Sequence, residues 1–92
     1  MATFFHAWRK RQAELQASDW IEEQDEARRA VQELPDVLRE QVRLAVETLI
    51  DGPDAEVEQA LEDLGHLLEP HPDLHERFWR LRVVDDAVEF LK

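Results

Sequence analysis

Several residue types are absent or rare in this chain of 92 residues. It has no cysteine, so it has neither a disulfide framework nor thiol chemistry. Only two glycines and four prolines occur, which argues against a turn-rich β fold. No apolar run approaches the roughly 18 residues of a membrane span, and the N-terminal residues lack the basic-then-apolar pattern of a signal peptide. We therefore expect a cytoplasmic protein that does not bind membranes.

Motifs for catalysis are also missing. The single serine, Ser18, is better suited to cap a predicted helix than to act as a nucleophile. The chain has no Gly-x-Ser-x-Gly nucleophile elbow and no glycine-rich phosphate-binding loop. Adjacent acids such as Asp85 and Asp86 are expected by chance among 22 aspartates and glutamates. We therefore predict that the protein is not an enzyme and needs no cofactor.

The residues that are present favour an all-α fold. A hydrophobic content of 43% and a charged content of 36% are typical of a globular helical protein. Breaks are expected near Ser18, Pro35, Gly52–Pro53 and Pro70–Pro72. We predict one helical domain over residues 1–92, with four or five short helices in a compact bundle or orthogonal array. The predicted helices run from Phe4 to about Ala17, from Ser18 or Asp19 to Leu34, and over Asp36–Ile50, Ala55–Leu68 and Pro72–Lys92.

Apolar residues at helical spacing predict which faces of these helices are buried. Val37 and Leu44 lie off the core stripe of the third predicted helix, so we expect them to contact another element. The predicted core includes Trp8, Leu38, Val42, Leu49, Leu61, Leu64, Phe78, Leu81 and Val88.

Charge is distributed unevenly along the chain, whose formal net charge is −11. Residues 44–76 contain ten acids and no lysine or arginine. This concentration of negative charge repels phosphate backbones and attracts a basic partner, so we expect no direct nucleic-acid binding. A role in solubility alone would explain the same residues. The predicted acidic partner surface consists of Glu47, Asp54, Glu56, Glu58, Glu62 and Asp63. The N-terminal cations, Arg9, Lys10 and Arg11, are expected to pair with the protein's own acids.

The last predicted helix, Pro72–Lys92, carries two apolar faces, whereas a surface helix needs only one. Phe78, Leu81 and Val84 lie on the first face. We predict that a symmetric homodimer covers the second face, because Trp and Phe are typical of interface centres. The competing interpretation is that Phe5 and Trp8 cover it within one chain. The predicted interface consists of Trp79, Val83, Ala87 and Phe90, together with Arg80.

Three function classes are consistent with these patterns. The favoured one is a small acidic protein–protein interaction module, a regulator, adaptor or inhibitor that works by binding. The second is an acidic mimic of nucleic acid that blocks a DNA- or RNA-binding protein. The third is a metal-binding bundle, because Asp63 and His66 have the spacing of helical carboxylate–histidine pairs and His75 is near in sequence. No metal site is assigned, because no second pair of equal quality occurs.

Overall fold

The computed structural model describes residues 7–11, 14 and 17–91, with side chains as far as Glu89. Over this part of the chain the protein is all-α and contains no strand, as the sequence predicts. No helix within these described residues is long and apolar enough to cross a membrane. Residues 7–11, called the N-terminal segment below, are helical. The helices that follow are α1 (Ala17–Gln32), α2 (Asp36–Asp51), α3 (Asp54–Leu68), α4 (Pro72–Arg80) and α5 (Arg82–Leu91).

Proline sets the corners on either side of α2. Pro35 and Pro53 precede α2 and α3 with φ near −55° and −59°, the range that the proline ring imposes. Gly52 ends α2, and a Cβ atom there would lie 2.7 Å from the Cα of Thr48. Only glycine therefore lets the chain turn so closely against the last turn of α2. The predicted breaks at Pro35 and at Gly52–Pro53 are confirmed.

The central helix is α2, which contacts α1, α3 and α5. Its inward face supplies Val42 and Val46, both fully buried, and Leu49 beside them. Of the predicted core residues, Leu38 and Val88 are partly buried against the core. The other predicted core residues are buried: Trp8, Val42, Leu49, Leu61, Leu64, Phe78 and Leu81.

The predicted start of α1 at Ser18 or Asp19, with one of them as its cap, is wrong by one or two residues, because both lie inside the first turn of the helix, which begins at Ala17. Asp19 still acts there as a favourable charge at a helix N-terminus. Of the first predicted helix, residues 7–11 and 14 are described, and Ala17 is the first residue of α1. The other residues of that predicted helix lie outside the described part of the chain.

The prediction of one straight helix over Pro72–Lys92 is also wrong. Leu81 is extended, with φ −68° and ψ 131°, and separates α4 from α5. In a straight helix Val83 would lie opposite Phe78, whereas the bend at Leu81 lets both side chains be fully buried in one core. The burial of apolar side chains therefore favours two shorter helices over the single helix with two apolar faces that the sequence predicted.

The N-terminal segment is fastened to the fold by two neighbouring side chains. Trp8 is buried and meets the ring of Trp20 edge to face, with the ring centroids 5.9 Å apart. The guanidinium of Arg9 donates to the carbonyl oxygens of Thr48 (2.7 Å), Leu49 (3.3 Å) and Gly52.

Arg9 also forms an ion pair with Asp54 at the start of α3, with Nη1 3.0 Å from Oδ1. The helix α2 has no basic residue in its own last turn, so Arg9 supplies the cation that its C-terminus lacks. Both side chains are largely withdrawn from solvent, 17% and 12% exposed. One side chain therefore joins the N-terminal segment, the end of α2 and the start of α3.

Replacing Arg9 by alanine should lower the free energy of unfolding by about 2–3 kcal/mol, because the carboxylate of Asp54 and three carbonyls lose a charged donor. Arg9→Lys should recover only part of this loss, since one ammonium group cannot reach all four acceptors. Urea unfolding measures both effects. Arg11→Ala is the matched control, because Arg11 is exposed in the same segment. Equal unfolding midpoints for Arg9→Ala and Arg11→Ala would contradict the role given to Arg9.

Candidate protein-interaction surface

The outer face of α2 carries exposed apolar side chains. Val37 is 80% exposed and Leu44 is 55% exposed, and the two lie seven residues apart on one side of the helix. Among the described residues neither side chain is buried by another element, so any contact expected from the sequence leaves both exposed. The buried residues of α2 lie on the opposite side of the helix. Because that side packs in the core, the side that carries Val37 and Leu44 faces outward.

A groove runs between α2 and α3, beside Leu44. Its apolar side chains come from Leu44, Ala45, Ala60 and Leu67. It has a volume of about 540 Å³. We call it the α2–α3 groove; the described residues that line it are Gln41, Leu44, Ala45, Thr48, Glu56, Gln59, Ala60, Asp63, His66 and Leu67.

The charge of the α2–α3 groove is negative. Glu56 and Asp63, called the acidic rim below, both line it and are exposed. The Asp63 carboxylate accepts a hydrogen bond from Gln59 at 3.0 Å, which leaves its charge unneutralised. No lysine or arginine is among the described lining residues. The groove therefore presents apolar surface beside uncompensated carboxylates.

Two members of the predicted acidic partner surface are instead paired within the chain. Arg28 on α1 donates to both carboxylate oxygens of Glu47, at 2.7 and 3.2 Å, and this holds the pKa of Glu47 below its usual range. Asp54 is engaged by Arg9. The other predicted members, Glu56, Glu58, Glu62 and Asp63, remain exposed along α3. Pairing across helices could not be read from the sequence, because Arg28 and Glu47 lie 19 residues apart.

The predicted dimer face is not an exposed apolar patch. Val83 and Ala87 are fully buried in the core of the single chain. Trp79 is half-buried and stacks on His75, with ring centroids 4.1 Å apart. Arg80 is exposed and pairs with Glu76, and the side chain of Phe90 lies outside the described part. Val83 and Ala87 therefore offer no surface for a dimer contact, whereas the dimer itself stays a prediction. The single-chain interpretation also stays a prediction: Trp8 packs on Trp20, while Phe5 and the side chain of Phe90 lie outside the described part.

The predicted metal candidates lie on two neighbouring surfaces. Asp63 and His66 line the α2–α3 groove, whereas His75 lines a cleft of about 600 Å³ between α3 and α4, which His66 also borders. His66 is 81% exposed, with Nδ1 3.9 Å from the carboxylate of Glu69. Among residues 7–11, 14 and 17–91, no three histidine, aspartate or glutamate side chains are placed to hold a metal ion.

A second acidic feature lies where α1 meets α5. Glu23 and Asp86 are partly withdrawn from solvent, and this burial raises the pKa of both carboxyl groups. Arg82 opposes the shift, with Nη1 3.1 Å from Glu23 Oε1. The sequence does not predict this pair, because the break at Leu81 decides which side of α5 faces α1. We expect this pair of carboxyl groups to affect the stability of the fold.

Comparison with known proteins gives no match: no protein-family model, curated protein or solved structure matches this chain. The function is therefore inferred from the geometry and chemistry of its own surface. The α2–α3 groove is the described feature that combines exposed apolar area with uncompensated charge.

Replacing Asp86 by asparagine should raise the melting temperature at pH 7. Burial raises the folded-state pKa of Asp86, so the folded protein binds this proton more tightly than the unfolded chain. Ionisation therefore costs stability as the pH rises through the folded pKa, and the cost disappears at pH values below the unfolded pKa. The gain from Asp86→Asn should shrink accordingly as the pH falls toward 3, measured by thermal melts. Asp85→Asn, at an exposed neighbouring position, is the control. A gain that is equal at pH 7 and pH 3 would exclude ionisation as its cause.

Proposed function

We propose that the protein is a small acidic interaction module that acts by binding a basic protein, and that the α2–α3 groove is its contact surface. One observation supports this most strongly: exposed Leu44 lines the same groove as the carboxylates of Glu56 and Asp63, with no lysine or arginine among the described lining residues. Apolar surface supplies affinity once water is excluded, and uncompensated charge speeds capture of an oppositely charged partner. Regulators, adaptors and inhibitors all work through such contacts.

Charge favours a different protein over a second copy of this chain as the partner. A twofold contact through the α2–α3 groove would place the same patch on both sides, so two acidic rims would lie against each other. Each chain also carries a formal net charge of −11. The repulsion opposes self-association through this surface.

The nucleic-acid mimic receives less support from the same residues. A mimic needs a sustained row of uncompensated negative charges to replace phosphates. Glu47 and Asp54 are paired with Arg28 and Arg9, which interrupts the acids of residues 44–76. Leu44 adds an apolar element for which a phosphate backbone has no counterpart.

The proposal predicts that the association rate depends on the acidic rim and on the salt concentration. With the partner captured from the native host, the association rate should fall at least about tenfold between roughly 0.05 and 0.5 M salt, because exposed charges are then screened over a few ångströms. The double variant Glu56→Gln, Asp63→Asn should associate more slowly at low salt and depend less on salt. Stopped-flow or surface-based kinetics measure both quantities.

The matched control is the double variant Glu22→Gln, Glu58→Gln, which changes the net charge equally at exposed positions that do not line the α2–α3 groove. It should slow association less than the rim variant. An association rate that is independent of salt, or equal effects of the two double variants, would contradict the proposed contact surface.

A further inference from the structure

We propose that the occupant of the α2–α3 groove is a basic amphipathic helix of the partner, about two to three turns long. This inference rests on the proposed function and adds the conformation and side-chain pattern of the bound segment. Its apolar side chains would contact Leu44 and the partly buried Leu67, and its lysines or arginines would face the acidic rim.

The spacing of the lining residues fits a helical occupant. On α2 they fall at positions 41, 44, 45 and 48, and on α3 at 56, 59, 60, 63, 66 and 67. These are the rows of residues three and four apart that form ridges on a helix surface, and a third helix packs its own ridges between such rows. At 1.5 Å per residue the rows extend for about 10 Å on α2 and about 16 Å on α3, which corresponds to two to three helical turns.

Other peptide conformations fit this surface poorly. An added strand needs a sheet edge to pair with, and the described part of the chain contains no strand. An extended segment packed against Leu44 and Leu67 would place its backbone groups against apolar side chains, which offer them no hydrogen-bond partner. A polyproline segment needs an aromatic-lined groove, and none of the described lining residues is Phe, Tyr or Trp. A helix satisfies its backbone hydrogen bonds internally and avoids each of these costs.

The charges specify the other half of the pattern. Glu56 and Asp63 lie seven residues apart on α3, so they stand two turns apart along the same side of the groove. A helix lying alongside with cations about seven residues apart would place one near each carboxylate. Cations at this spacing on one flank, with apolar residues facing Leu44, define the sequence pattern expected of the partner segment.

Three synthetic 14-residue peptides test the inference against the purified full chain. The first contains leucine and lysine with the leucines at positions that form one helix face. The second has the same composition in an order that spreads the leucines around the helix. The third replaces every lysine of the first by glutamate. Fluorescence anisotropy gives the affinity, and circular dichroism reports helix formation on binding.

The first peptide should bind at least about tenfold more tightly than the second and gain helix signal, and the third should not bind. Leu44→Gln should weaken binding of the first peptide about fivefold. Ile21→Gln is the matched control, because Ile21 on α1 is 56% exposed against 55% for Leu44, and it should leave the affinity unchanged.

Equal affinity for the two lysine peptides would overturn the helical occupant while leaving capture of a basic partner intact. An unchanged affinity for Leu44→Gln would also overturn the inference, because the bound segment would then lie elsewhere. Failure of both lysine peptides to bind at low salt would overturn the proposed function together with this inference.

Discussion

The contact on which the rest of the structure depends is the guanidinium of Arg9 at the corner between α2 and α3. Its hydrogen bonds to Leu49 and Gly52 satisfy carbonyls at the end of α2, and its bond to Thr48 adds to the one that this carbonyl accepts from the Gly52 N–H. Its ion pair with Asp54 reaches the next helix. The turn between α2 and α3 is short, so the end of one helix lies close to the start of the next. In addition, α2 has no basic residue in its own last turn. The guanidinium of Arg9 supplies the missing cation at the end of α2 and also joins α2 to α3 through Asp54.

The geometry of the α2–α3 groove follows from this corner. With the turn at Gly52 and Pro53 fixed, α2 and α3 lie side by side, and the inward side of α2 is committed to Val42, Val46 and Leu49. The opposite side must then face outward, together with Leu44. Because Arg9 and Arg28 engage Asp54 and Glu47, the acids that remain uncompensated are those farther along α3. The internal ion pairs thus help decide where the protein's negative charge is available to a partner.

Local signals predicted much of the fold, because proline, glycine and helical periodicity act within a few residues. Pro35 and Gly52 mark real corners, and Leu61, Leu64 and Phe78 are buried as their spacing indicates. The bend at Leu81 was not predictable in this way, since neither proline nor glycine occurs there. The bend is stabilised by the burial of Val83 and Ala87 against helices that are distant in sequence. The pairing of Glu47 with Arg28 is likewise a property of helix packing. The off-stripe positions of Val37 and Leu44 were visible in the sequence, but only the fold showed that no described element covers them.

The central claim is that a basic partner segment binds in the α2–α3 groove, and chemical-shift mapping of the isotope-labelled chain tests it most directly. Titration with the leucine–lysine peptide whose leucines form one helix face should shift the methyl resonances of Leu44 and Leu67 most strongly. The methyl groups of Ile21, equally exposed on α1, should stay in place. Shifts centred on Ile21, or shifts of equal size near every exposed carboxylate, would contradict the account.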